Sequence, residues 1–68
     1  MKTFKRTLIE SRMYHGLSQT DLSIIIGVSR TQISFYESGI NTPGLDVAIR
    51  LSKLLGFSLD QIQARPRK

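Results

Sequence analysis

The sequence contains no cysteine. That excludes a disulfide framework and any thiolate metal site, and it agrees with a reducing, cytoplasmic compartment. No apolar run approaches the roughly 20 residues needed to span a bilayer. The basic start, Met1-Lys2-Thr3-Phe4-Lys5-Arg6, leads into no apolar stretch of the signal-peptide kind. Proline occurs only at Pro43 and Pro66, and strand signals are weak: no segment alternates cleanly, and Asn-Gly and Asp-Gly turns are missing. The one histidine, His15, sits beside Gly16 with no acid or nucleophile around it, and no glycine-rich phosphate loop or metal-ligand cluster is present. The chain is therefore expected to be no enzyme and to need no cofactor or metal. Acidic residues are also scarce. Five Asp and Glu against ten Lys and Arg leave a net charge of +5, a field that attracts polyanions. Nucleic acid comes first among such partners and an anionic membrane second. The membrane is disfavoured because no segment joins a continuous basic face to a large apolar one.

What is present is helix punctuation. The 68 residues suit one domain, with a core over about 4–63 and a basic tail at 64–68. Ser18-Gln19-Thr20-Asp21, Ser29-Arg30-Thr31-Gln32 and Ser58-Leu59-Asp60-Gln61 each read as a capping box, a Ser followed three residues on by an acid or amide that can reach back. Gly16, Gly39 and Gly56 follow apolar-periodic segments and suit left-handed helix ends. Five helices are expected: Phe4–Tyr14, Gln19–Ile26, Arg30–Ser38, Leu45–Leu55 and residues 59–64. Apolar pairs at helical spacing (Phe4 with Leu8, Leu22 with Ile26, Ile33 with Tyr36) and a stripe of Leu45, Ala48, Ile49, Ser52 and Leu55 are expected to close one core, with Leu17, Val28, Phe57, Leu59 and Ile62 added from turns and the last helix. Between Leu22 and Ile33, two short helices are joined by Gly27-Val28-Ser29. Gly27 permits positive φ, Val28 can plug the core and Ser29 caps the helix that follows. A steep crossing at such a turn lets the second helix project, and a helix fits the DNA major groove.

Three runs, Gly16-Leu17-Ser18-Gln19-Thr20-Asp21-Leu22, Gly27-Val28-Ser29-Arg30-Thr31-Gln32-Ile33-Ser34 and Tyr36-Glu37-Ser38-Gly39, resemble the Cro/C1-type (XRE) helix-turn-helix family. The similarity continues through Pro43, Leu45, Leu51, Leu55-Gly56 and Ser58-Leu59-Asp60, covering about 4–62. It implies an all-α, compact five-helix, lambda-repressor-like DNA-binding domain, with the helix-turn-helix in helices two and three. It also implies a transcriptional regulator, most often a repressor, that binds a pseudo-palindromic operator in double-stranded DNA as a homodimer. Length and layout are similar to the small phage Cro-type repressors, which carry no effector domain.

The resemblance also assigns roles. Gln19 is expected to touch a phosphate and help orient a recognition side chain. Arg30, Thr31, Gln32 and Ser34 are expected to face base edges: Arg30 a guanine, Gln32 an adenine, Thr31 a thymine methyl or a phosphate. Gln32 has a capping job that competes with base contact. Asn41 and Thr42 match positions that hold the DNA backbone. Arg12 and Glu37 match an ion pair joining the first helix to the end of the recognition helix. Dimerisation is expected through Phe57, Ser58, Leu59 and Ile62, flanked by Gln61 and Arg65. The tail Arg65-Pro66-Arg67-Lys68 cannot continue a helix across Pro66 and is expected to be a basic arm. Three positions depart from the pattern. Ile24 and Ile25 are apolar where relatives are polar; they should face outward, covering a core edge or offering a contact patch to a protein partner. Phe35 stands where relatives often carry Arg, Lys or Gln, and is expected either on thymine methyls or against the domain. Ser11 replaces an apolar residue, which Phe4, Met13 or Tyr14 would have to make good. An antitoxin or a restriction-modification controller, binding a protein as well as DNA, is the alternative.

Overall fold

The computed structural model describes residues 3–59. Four helices run through them, α1 (Phe4–Tyr14), α2 (Gln19–Ile26), α3 (Arg30–Ser38) and α4 (Leu45–Leu55), and no strand is present among the described residues. These ranges coincide with the first four expected from the sequence. The count of five is not supported: of the helix expected over 59–64, only Leu59 lies among the described residues, as do none of Gln61, Ile62, Arg65 and the basic tail.

Three of the four helices start where a side chain can take an orphan amide, and α4 starts at Gly44 with no side-chain cap. The Thr3 hydroxyl accepts from the Arg6 N–H, that of Ser18 from Asp21 and that of Ser29 from Gln32. The reciprocal box closes at α2, where the Ser18 N–H also donates to the Asp21 carboxylate at 3.0 Å. The box expected at α3 is half formed: Ser29 caps, but the Gln32 side chain is exposed and sends no bond back. The third expected box extends past residue 59. α2, α3 and α4 end on Gly27, Gly39 and Gly56, all left-handed, with each glycine N–H returned to a carbonyl of the last turn.

The core joins all four helices: Leu8 from α1, Leu22 and Ile26 from α2, Ile33 and Tyr36 from α3, Leu51 and Leu55 from α4. Leu8, Leu22, Ile33 and Leu51 are fully buried, each contributing about 1.5–3 kcal/mol of apolar transfer. Phe4, Leu17, Val28, Val47 and Phe57 pack around them. The stripe expected on α4 is corrected. Val47, Leu51 and Leu55 carry the contact, while Leu45 is 73% exposed and Ile49 36% exposed. The inward face is the i, i+4, i+8 row from Val47, and Leu45, two positions before Val47, points to the far side of the helix. Ser11 turns its hydroxyl onto its own helix, donating to the Thr7 carbonyl at 2.6 Å. Met13 and Tyr14 are exposed and offer no replacement packing; Phe4 does, meeting Phe57 edge-on with ring centres 6.1 Å apart.

Two polar tethers fix helix ends that apolar packing alone would leave loose. Arg50 of α4 donates from Nη1 to the Ile26 carbonyl at 2.8 Å, capping the end of α2. His15, ending α1, holds the Leu55 carbonyl at the end of α4 through Nε2 at 2.9 Å.

Candidate nucleic-acid interface

The turn Gly27-Val28-Ser29 sets up the site. Gly27 adopts φ +87°, which an L side chain rarely takes, and nothing lies within 4 Å of where its Cβ would sit. The glycine is required by the backbone, not by crowding. Val28 packs on the core. Ser29 then opens α3, so the chain changes direction with its amides satisfied.

α3 has two faces. Ile33, Tyr36 and Glu37 turn inward. Arg30, Thr31 and Gln32 occupy the exposed first turn, and Ser34 and Phe35 lie half-buried between the faces. Asn41 and Thr42 are exposed in the segment after Gly39. That segment is held by the Phe35 carbonyl, which accepts from the Gly39, Ile40 and Asn41 N–H groups. Gln19 opens α2 and is half-buried.

Beneath the exposed turn lies an interior ion pair. Arg12 Nε donates to Glu37 Oε2 at 2.6 Å, and Nη2 to Oε1 at 3.0 Å. The third arm of the guanidinium, Nη1, donates to the Leu17 carbonyl at 2.8 Å. Glu37 is 9% exposed, so the pair works in a medium where a bidentate, charge-assisted contact is strong. Glu37 also takes a third bond: Gln19 Nε2 donates to Oε1 at 3.0 Å. From the other end of the same amide, Gln19 Oε1 accepts from Arg30 Nη1 at 3.5 Å. Four side chains thus run without a break from the interior to the exposed turn.

The sequence flagged all four but not the bond between Gln19 and Glu37, which spans 18 positions and follows no local spacing. It also passed over Lys5, whose side chain lies against Gly39: a Cβ there would meet Lys5 Cδ at 3.3 Å and Nζ at 3.6 Å. Of the residues expected at a dimer contact, Phe57 is half-buried against the domain's own core, Ser58 is exposed and Leu59 half-buried. Ile24 and Ile25 face outward, 73% and 53% exposed. The Ser18 backbone N–H, then its hydroxyl, hold the Asp21 carboxyl below its ordinary value. Among the described residues no group of His, Asp and Glu is placed to hold a metal ion, and no helix is long and apolar enough to cross a membrane.

Two helices joined by a glycine turn, the second with a polar, exposed first turn above a buried ion pair, define a helix-turn-helix module. The helix-turn-helix family profile matches residues 8–62. The chain belongs to this family, in its Cro/C1 (XRE) branch, a family of DNA-binding transcriptional regulators and not of enzymes. It is 36% identical over 58 residues to an uncharacterized HTH-type transcriptional regulator of Methanocaldococcus jannaschii, covering 85% of this chain and 88% of that one. It is also 43% identical over 47 residues, 69% of this chain, to a protein of Pyrococcus furiosus named as an HTH-type transcriptional regulatory protein, of which the match spans 15%. A similarly named protein of Thermococcus kodakarensis is 40% identical over 52 residues, 76% of this chain and 16% of that relative. The chain therefore corresponds to a small part of the two longer relatives. No solved structure matches.

Proposed function

We propose that the protein is a transcriptional repressor that binds a pseudo-palindromic operator as a homodimer, each protomer laying α3 in the major groove. The observation that carries this reading is the exposed first turn of α3. Arg30, Thr31 and Gln32 have no structural duty that binding would break, since Ser29 caps the helix without help from the Gln32 side chain. Among the described residues, Arg30 is engaged through Nη1 alone. Its Nε–Nη2 edge is left for the O6 and N7 of a guanine, a bidentate contact worth about 1–3 kcal/mol of discrimination. Gln32 is suited to an adenine and Thr31 to a thymine methyl or a phosphate. Ser34 and Phe35 line the flank of the same face. Gln19, Asn41 and Thr42 stand at its rim, where phosphates run. The segment from Phe57 through Ser58, Leu59, Gln61 and Ile62 to Arg65 joins two protomers, so that their α3 helices meet successive grooves about 34–36 Å apart. Repression follows from occupancy of a promoter site by a chain whose described part is the DNA-binding module itself.

Selection from a randomised duplex library tests this. The expected result is an enriched site of two inverted half-sites with centres about 10–10.5 base pairs apart. Recovery of no enriched sequence overturns it.

A second reading rests on Ile24 and Ile25. Two adjacent exposed isoleucines on α2 favour a protein-contact role, as in an antitoxin or a restriction-modification controller that binds DNA as well. Replacing both by Ser separates the two: unchanged operator affinity and unchanged repression in cells support the simple repressor, and a loss of regulation with operator affinity intact supports the protein partner.

A further inference from the structure

We propose that Glu37 is a positioning residue for base reading: it fixes the polarity of the Gln19 amide, and through it the orientation of Arg30. This rests on the base-reading role of Arg30 proposed above. The argument is one of hydrogen-bond sense. An ionised carboxylate only accepts, and a guanidinium only donates. A glutamine amide has a donating and an accepting end, told apart by their neighbours. Arg12 donates to both Glu37 oxygens, at 2.6 and 3.0 Å, so both face the interior network as acceptors. Gln19 must therefore point its NH2 group inward to Glu37 Oε1, at 3.0 Å. Its carbonyl oxygen is then turned toward α3, where Arg30 Nη1 meets it at 3.5 Å. The flipped amide would set its NH2 against the guanidinium and its oxygen against the carboxylate, two repulsive contacts in place of two attractive ones.

Three consequences follow. Position 30 is obliged to carry a donor on the side facing Gln19. The Arg30 edge left over is the Nε–Nη2 fork, which presents two parallel N–H donors to the O6 and N7 of a guanine. And the ion pair, which looks like a device for holding α1 to α3, also sets which way the reading side chain is presented before any duplex arrives. Pre-orientation of this kind lowers the ordering cost of binding.

The test compares affinities for an operator duplex and its single-base variants across five proteins: wild type, Arg30→Ala, Gln19→Leu, the double variant of these two, and Glu37→Gln. Thermal melts confirm that each is folded. Arg30→Ala marks the base pair Arg30 reads, by an expected loss of about tenfold or more in guanine preference there. Gln19→Leu is expected to lose about three- to tenfold of preference at that same base pair, with preference elsewhere intact. In the double variant the Gln19 change should cost no further preference at that pair. Glu37→Gln, which lets residue 37 offer an NH2 to Gln19 and turn its amide over, should reproduce the Gln19→Leu pattern with Gln19 in place. A Gln19→Leu or Glu37→Gln protein that keeps wild-type preference at that base pair, whatever uniform affinity it loses with the Gln19 phosphate contact, or additive losses of preference in the double variant, overturns the proposal while leaving the reading of Arg30 in force. If Arg30→Ala changes preference at no base pair, the reading of Arg30 falls first and the positioning of it with it.

Discussion

At the scale of single residues, Glu37 has the largest consequences. It accepts from Arg12 twice and from Gln19 once while almost wholly buried. Removing its carboxylate strands the Arg12 guanidinium in the interior, a change that costs about 3–5 kcal/mol in buried pairs. A domain of this size has only about 3–10 kcal/mol in total, so Glu37→Ala is expected to lose most of the denaturant midpoint of the wild type in urea unfolding. A midpoint within a few tenths molar of wild type would mean that the pair is not buried in solution. Asp21 illustrates a smaller effect with a definite sign. Ser18 holds its folded-state carboxyl below the ordinary value. The stabilisation is therefore fully present above the unfolded-state pKa and is lost as pH falls through the lowered folded-state one. Following the Asp21 side-chain carboxyl by NMR from neutral to acid should give a midpoint below the usual aspartate range, and Ser18→Ala should move that midpoint upward. Both ion-pair partners were legible from their place in the family pattern. The Gln19–Glu37 bond was not, because a contact between the start of one helix and the end of another depends on how the helices pack.

At the scale of elements, helix limits were the most legible feature, because most are written in residues whose chemistry is local: a Ser that accepts an amide at the start of α2 and α3, a Gly that can take positive φ at the end of α2, α3 and α4. Gly27 makes the point quantitatively. It sits at φ +87° in open space, so Gly27→Ala adds no clash and costs only the left-handed backbone penalty, about 1–2 kcal/mol. Thermal denaturation should register that destabilisation, and an unchanged melting temperature would mean the turn relaxes to another conformation. What proved less legible was the side of α4 that turns inward. A stripe beginning at Leu45 and a stripe beginning at Val47 are both helical in period, and only the position of α1 and α2 selects the second. The same holds for Gln32, whose spacing from Ser29 fits a capping box but whose side chain stays in solvent. Spacing permits the Ser29 N–H to donate to that side chain but does not require it, because the Ser29 hydroxyl takes the Gln32 N–H with or without the return bond.

At the scale of the whole molecule, the charge excess and the exposed turn of α3 act together. In the proposed reading, a net charge of +5 draws a duplex in without regard to sequence, and the polar turn supplies the discrimination. If the proposed dimer neutralises about 8 phosphates, log K should fall with log salt at a slope of roughly −7; a slope near −2 would leave most of the proposed backbone contacts unmade. The central claim is that the first turn of α3 is the surface that meets DNA, and amide chemical-shift mapping on titration with a selected duplex tests it most directly. Perturbations should concentrate at Gln19, Arg30, Thr31, Gln32, Ser34, Asn41 and Thr42. Shifts gathered instead at Ile24, Ile25 and the end of α2, with Arg30 and Thr31 unmoved, would contradict the account.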